Sequence, residues 1–280
     1  MKRHSLMTSI IAAAIATSGA AACSTTQERA LTAAHRASLN TAIASSTRTP
    51  ANVQRDRYRN PGPTLAFFGV RPSDTVVEIW PGGGWYTEIL APYLRSGGGT
   101  YIAAAPPTQV ERFTQWRDTN QAKYGVFRVA AFPTFEPAHQ GVAPGTADVV
   151  LTFRNVHNWR IGSGRDNQDY SAEAFRQLYA MLKPGGTLGI VDHRLPEGAN
   201  AERERSSGYM KVSTVRRLAE QAGFRFVASS EINANPGDTA DWPQGVWTLP
   251  PVLRLGEQDR ERYLAIGESD RMTLRFVKPR

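Results

Sequence analysis

Three observations predict an α/β chain folded as a three-layer sandwich, with helices on both faces of a mostly parallel sheet. Short apolar runs of strand length recur from residue 76 to the C-terminus, stretches with helical apolar spacing stand between them, and the breaks joining them are short and rich in Gly and Pro. With 280 residues, 41% of them hydrophobic, the chain can bury a large core in one domain or in two small ones. No internal repeat is visible.

The pattern is clearest at residues 76–90, VVEIWPGGGWYTEIL. Val76, Val77 and Ile79 make the apolar run of a buried parallel strand, and Pro81-Gly82-Gly83-Gly84 break it. Ile89, Leu90 and Leu94 restart at helical spacing, so a helix is expected over Trp85–Leu94. Strand, glycine turn and helix bring backbone N–H groups and a positive helix end close to a ligand. Glycine permits the close approach and the left-handed backbone such a turn needs. The same turn also serves as a plain connection.

Upstream, the chain opens like an export signal. Lys2 and Arg3 supply positive charge, Leu6–Ala16 are apolar or small but too few to span a bilayer, and Ala20-Ala21-Ala22 offers an A-x-A cleavage site. Residues 1–22 are therefore expected to be removed, and the protein to reside in the periplasm or cell envelope. Cys23, the single cysteine, has no partner for an internal disulfide. Its position resembles the lipid-modified first residue of a bacterial lipoprotein, which would attach the protein to a membrane, although Ala20 replaces the usual leucine. Ordinary cleavage cuts the same bond, so both fates stay open. Residues 23–57 read as a polar extension with one helix over Arg29–Ile43 and a Ser/Thr/Pro linker at Ser45–Pro50. The charged stretch Arg55–Pro61 reads most plainly as a solvated cap, or else as a cover on a site. The main domain is expected over residues 58–280.

Within it, helix is expected at Thr64–Phe68, Gln109–Lys123, Ser171–Leu182 and Ser213–Ala222, and strand at Thr100–Ala104, Phe127–Ala131, Ala147–Phe153, Thr187–Val191, Phe224–Ala228 and Arg271–Val277. Lys183-Pro184-Gly185-Gly186 reads as a sharp stop, and Asn233–Pro251, with Trp242 and Trp247, as an irregular loop able to line or cover a cleft. The formal charge of +8 is dispersed, without a basic block, so nucleic acid is not an expected partner. It suits an anionic surface, an anionic ligand or a plain basic exterior.

The segments VVEIWPGGGWYTEIL, ADVVLTFRNVHNW, LKPGGTLGIVDHR and AEQAGFRFV resemble class I S-adenosylmethionine-dependent methyltransferases. More narrowly, they resemble a group of bacterial predicted methyltransferases, many with export signals. The likeness runs from Tyr58 to the C-terminus, and LKPGG before an apolar strand is its more specific mark. It implies a Rossmann-like methyltransferase fold, a seven-stranded, mostly parallel sheet with residues 271–277 as an antiparallel last strand. It also implies S-adenosylmethionine as cofactor and methyl transfer to a small molecule or envelope component. Carried over residue by residue, Glu78 takes the acidic position at the end of the first strand and Gly82 and Gly84 the glycine positions, with Gly83, Trp85 and Asn155 completing the expected cofactor contacts. Two positions depart from the pattern. Trp80 stands where a first glycine is usual, and Tyr101–Pro106 holds no acid where one usually meets the ribose; Glu136 is the nearest substitute. Glu78 has a plainer alternative as a carboxylate capping the following helix.

Open α/β sheets bind ligands at the carboxyl ends of their strands. There His157 is the candidate general base, with Asn155 and Asp192 as catalytic partners and Asn158, His193 and Tyr209 as substrate contacts. Each has a plain alternative in bracing a loop or a sheet end. His157, His193, Glu78 and Asp192 are metal-ligand types, but neither H-x-x-x-H nor H-E-x-x-H spacing occurs, and no metal is expected. No G-x-S-x-G elbow, P-loop or C-x-x-C pair points to hydrolase, ATPase or thiol-redox chemistry. The alternative to an enzyme is a non-catalytic ligand-binding protein that has kept the fold and repurposed the cleft.

Overall fold

The computed structural model describes Met1 and residues 29–280; the expected leader and Cys23 lie outside the described residues. The strands are β1 (Thr75–Ile79), β2 (Thr100–Ala105), β3 (Arg128–Ala131), β4 (Ala147–Phe153), β5 (Leu182–His193), β6 (Arg225–Ser230) and β7 (Arg271–Val277). They form one seven-stranded sheet in the order β3-β2-β1-β4-β5-β7-β6. All neighbours from β3 to β5 are parallel, and β7 runs antiparallel between β5 and β6. The chain winds outward from β1 through β2 to β3, then returns to place β4 on the other side of β1. That reversal opens a crevice at the carboxyl ends of β1 and β4.

The helices are α1 (Ala33–Ile43), α2 (Pro50–Val53), α3 (Asp56–Arg59), α4 (Pro61–Phe67), α5 (Thr87–Ser96), α6 (Val110–Thr119), α7 (Gln121–Tyr124), α8 (Val156–Ile161), α9 (Ser171–Met181), α10 (Val212–Gln221) and α11 (Arg260–Ile266). Side chains alternate along a strand, so each strand feeds two cores. Val76, Tyr101 and Leu151 point to one, with Leu39, Leu65, Ile89 and Leu90 of α1, α4 and α5. Val77, Ile79 and Val150 point to the other, with Trp159, Phe175, Leu178 and Val215 of α8, α9 and α10. Burying each such side chain is worth roughly 1.5–3 kcal/mol. In β5, Gly189 lets the first layer come close: a Cβ there would meet Phe68 at 2.7 Å and Leu151 at 2.8 Å. Among the described residues no helix is long and apolar enough to cross a membrane.

The expected elements recur with these differences. The helix expected over Arg29–Ile43 forms as α1, and its Leu39 and Ala42 enter the same core as α5. The stretch expected as a solvated cap is α3, and Arg59 is only 3% exposed. The helix expected over Gln109–Lys123 breaks at Asn120, which joins α6 and α7. Helix α9 does stop at Met181, but Lys183-Pro184-Gly185-Gly186 is no separate turn and belongs to β5: Leu182 pairs with Ala147, and the Gly185 N–H donates to the Lys278 carbonyl at 2.8 Å. Residues 156–161 coil into α8, and Gly245–Thr248 form a short 3-10 turn inside the late loop.

Candidate active site

Two neighbouring strands end in the same unusual way. Trp80, after β1, has φ 50°, and Arg154, after β4, has φ 64°. The left-handed region costs a side-chain-bearing residue about 1–2 kcal/mol, and such positions gather at functional sites. At Trp80 the backbone thus keeps the conformation a glycine would take freely. Its indole Nε1 donates to the Phe132 carbonyl at 2.7 Å, and the ring meets Trp159 edge-on at 6.3 Å. The indole forms one wall of a cleft of about 580 Å³, which Gly82, Gln109, Glu136, Asn155 and Tyr170 also line.

Of the expected cofactor contacts, Gly82 and Asn155 lie on this cleft. Gly82 has φ 60°, and a Cβ at Gly82 or Gly83 would meet nothing within 4 Å. Asn155 Nδ2 donates to the Ile79 carbonyl at 2.9 Å and to Thr152 Oγ1 at 3.2 Å, tying the ends of β4 and β1 together. Glu78 faces the other way, under α5, where Tyr101 OH at 2.5 Å and Thr87 Oγ1 at 3.2 Å donate to its carboxylate. Burial pushes its pKa up to about 7, against the pull of those two hydrogen bonds and of Arg154. Trp85 holds the N-terminal segment: Nε1 donates to the Asn52 carbonyl at 2.8 Å, and the Arg59 guanidinium lies 4.8 Å from its ring. Gly84 is covered by Trp116, which a Cβ would meet at 2.8 Å. The end of β2 offers only Ala103, Ala104 and Ala105, all buried, while Glu136 stands on the cleft wall.

The catalytic candidates converge at the ends of β4 and β5. Asp192 is fully buried and accepts from His157 Nδ1 at 2.8 Å, the His157 N–H at 3.1 Å and the His193 N–H at 2.8 Å. A carboxylate only accepts, so Nδ1 of His157 carries a proton, and in the neutral ring the lone pair is on Nε2. His193 lies beside it, with ring centroids 5.0 Å apart, and its Nδ1 meets Ser269 Oγ at 2.5 Å. Burial, followed by repulsion from His157, Arg271, Arg154 and Arg59, holds the His193 pKa well below the ordinary histidine value. Ligand atoms of His157, Asp192 and His193 lie within 4.8 Å of one another, whereas Glu78 is not in that group. The surrounding guanidinium groups oppose a cation there.

Tyr209 is buried against His193, 6.1 Å between ring centres, and its hydroxyl is engaged by the Asp238 carboxylate at 3.0 Å. Asn158 donates weakly to the Arg154 carbonyl at 3.4 Å. From the late loop, Trp247 sits edge-on to His157 at 6.3 Å, while Trp242 is turned toward Asp238 and Tyr263. Sequence reasoning did not anticipate the arginines at this edge. Glu268 accepts from Arg55 Nε at 2.6 Å, Arg59 Nε at 3.4 Å and Arg271 Nη2 at 2.5 Å. The charged run Arg55–Arg59 and the basic net charge were the available signals.

No protein-family model matches the sequence, and no curated protein matches it. Solved structures share its fold. A candidate sarcosine dimethylglycine methyltransferase from Galdieria sulphuraria aligns with TM-score 0.53 and 15% identity over 81% of this chain and 85% of that one. A SAM-dependent methyltransferase from Aquifex aeolicus gives 0.50 and 14% over 87% and 98%. Phosphoethanolamine N-methyltransferase 2 from Haemonchus contortus, in complex with S-adenosyl-L-methionine, gives 0.51 and 15% over 86% and 56%. The likeness is one of fold: the seven-stranded sheet with its antiparallel β7 is the Rossmann-like methyltransferase sandwich.

Proposed function

We propose that this chain is an S-adenosylmethionine-dependent methyltransferase in which His157 takes the proton of the attacking group of a small-molecule or envelope acceptor. The observation that carries this reading is the span Asn155–His157. Asn155 lines the cleft at the strand-order reversal, and two residues later the buried His157 has its imidazole oriented by a buried carboxylate. Fold alone does not decide function, so the reading rests on the site.

The residues present fit the cofactor. A cleft of about 580 Å³ lies within the usual range for ligands of this size. The Gly82-Gly83 turn leaves its backbone uncovered, and Asn155 and Glu136 offer polar groups, Glu136 serving the ribose hydroxyls in place of the acid that β2 lacks. Bound there, S-adenosylmethionine supplies an electrophilic methyl group. Nε2 of His157 receives the acceptor's proton, and Asp192 stabilises the imidazolium that results. Trp247 shields His157 on one side.

A second reading, ligand binding without turnover, is favoured by the Ala103–Ala105 end of β2, whose side chains cannot accept a hydrogen bond from a ribose. Calorimetric titration with S-adenosylmethionine and its demethylated product tests both. Micromolar binding weakened in Gly82→Ala supports the cofactor site, and turnover of an acceptor supports the enzyme. No heat with millimolar ligand overturns both the site and the methyl-transfer reading.

We further propose that residues 1–22 are removed on export and that Cys23 begins the mature chain in the periplasm or cell envelope. The intact mass of protein recovered from cells reports it: a chain starting at Cys23, with or without lipid, supports export, and a chain retaining Met1 overturns it.

A further inference from the structure

The arginines beside the histidine pair are short of negative charge. Arg55, Arg59 and Arg271 share the Glu268 carboxylate, and no carboxylate among the described residues forms an ion pair with Arg154. Arg59 and Arg271 are 3% and 2% exposed, and Nη2 of both Arg55 and Arg59 is buried with no hydrogen-bond partner. A buried, unpartnered guanidinium nitrogen calls for an acceptor. Arg154 stands beside them at the strand ends: its N–H donates to the Val191 carbonyl at 2.7 Å, and His193, two residues on, pairs with Arg271. Burial, and then Arg154, bring the Arg59 pKa down to about 8, and burial, and then Arg271, bring Arg154 to about 10. Both lie above neutral pH, so the cluster holds repulsion that an incoming anion would relieve. A guanidinium fork matches carboxylate and phosphate oxygens.

The cluster is wired to the proposed base. Arg271 Nε donates to Ser269 Oγ at 3.4 Å, leaving the Ser269 hydroxyl proton for Nδ1 of His193, whose ring lies 5.0 Å from that of His157. None of these arginines lines the cleft assigned to the cofactor. We propose that Arg59, Arg154 and Arg271 form an oxyanion site that grips a carboxylate or phosphate of the methyl acceptor and presents its reacting atom to His157. The assignment of the anion to the acceptor rests on the methyl-transfer reading above.

The test is calorimetric titration of the full chain with inorganic phosphate and with acetate at constant ionic strength, with and without S-adenosylmethionine, in wild type and Arg154→Gln. Arg154 has no ion-paired carboxylate, so its removal strands no carboxylate, and an unchanged or higher Tm will confirm that the variant folds. Expected are saturable binding, a Kd raised at least about tenfold in Arg154→Gln, and unaltered cofactor affinity. Tighter phosphate than acetate marks a phosphorylated acceptor, and the reverse a carboxylic acid. No saturable anion binding, or equal binding by the variant, overturns the oxyanion site. Competition between phosphate and S-adenosylmethionine overturns its assignment to the acceptor and gives the arginines to the cofactor's carboxylate. Phosphate binding without any cofactor binding removes the methyl-transfer reading and leaves the oxyanion site standing.

Discussion

Asp192 grips His157 twice, through the ring Nδ1 at 2.8 Å and through the backbone N–H at 3.1 Å. The double contact fixes both the tautomer and the ring orientation, which leaves Nε2 as the basic atom. His157→Gln should lower turnover by about 10²–10⁴-fold while leaving S-adenosylmethionine affinity unchanged. Asp192→Asn should also lower turnover, because an amide hydrogen facing Nδ1 favours the wrong tautomer, and should alter the pH–rate profile. Parallel loss of cofactor binding in His157→Gln would place that histidine in binding rather than in proton transfer.

Glu78 makes stability depend on pH. Its folded pKa of about 7 lies above the ordinary 4.5. Below pH 4.5 the group is protonated in both states and its burial costs nothing extra. As pH rises from 4.5 to 7, the unfolded chain releases the proton first, and the fold loses about 3 kcal/mol in all. Glu78→Gln keeps an acceptor for Tyr101 and Thr87 but cannot ionise. Its Tm should therefore gain on wild type across that window and level off above it. A difference that does not vary with pH would show that Glu78 stays ionised.

Glu268 behaves in the opposite sense. Burial alone would raise its pKa, but Arg271, Arg59 and Arg55 hold it down to about 2. Its stabilisation is complete above the ordinary carboxylate pKa and is lost as pH falls toward 2. Glu268→Gln at pH 7 should cost about 3–5 kcal/mol in urea unfolding, because buried guanidinium groups lose their shared carboxylate. The gap between variant and wild type should narrow in acid. A neutral effect at pH 7 would mean that solvent already balances the arginines.

Trp80 supplies a flat apolar wall to the cleft. Trp80→Gly should relieve the left-handed strain yet weaken S-adenosylmethionine binding by about tenfold, as expected for loss of an apolar wall of the cleft. Tighter binding would show instead that the indole occupies space the cofactor needs.

Much of this architecture is legible along the chain. Apolar runs such as Val76–Ile79 and Ala147–Phe153, with helical spacing between them, place the strands and helices, because burial of one face leaves a local periodic trace. The topology that the methyltransferase resemblance implies makes β4 and β5 neighbours and so brings His157 and Asp192 together. Helix α8 is less legible, as six residues carry too short a pattern.

Partnership among charges has no such trace. Arg55 and Glu268 bond across 213 positions of sequence, and each alone reads as a surface charge. Glu78 reads as a cofactor contact or a helix cap, and nothing local announces its buried bonds to Tyr101 and Thr87. The sequence by itself determined the sheet, its helices and the strand ends where chemistry can sit, because those follow from local periodicity and composition. Only the tertiary structure decided which side chains face one cleft, which cations crowd together and which nitrogens are left unpaired, because burial and Coulomb coupling depend on distance in space.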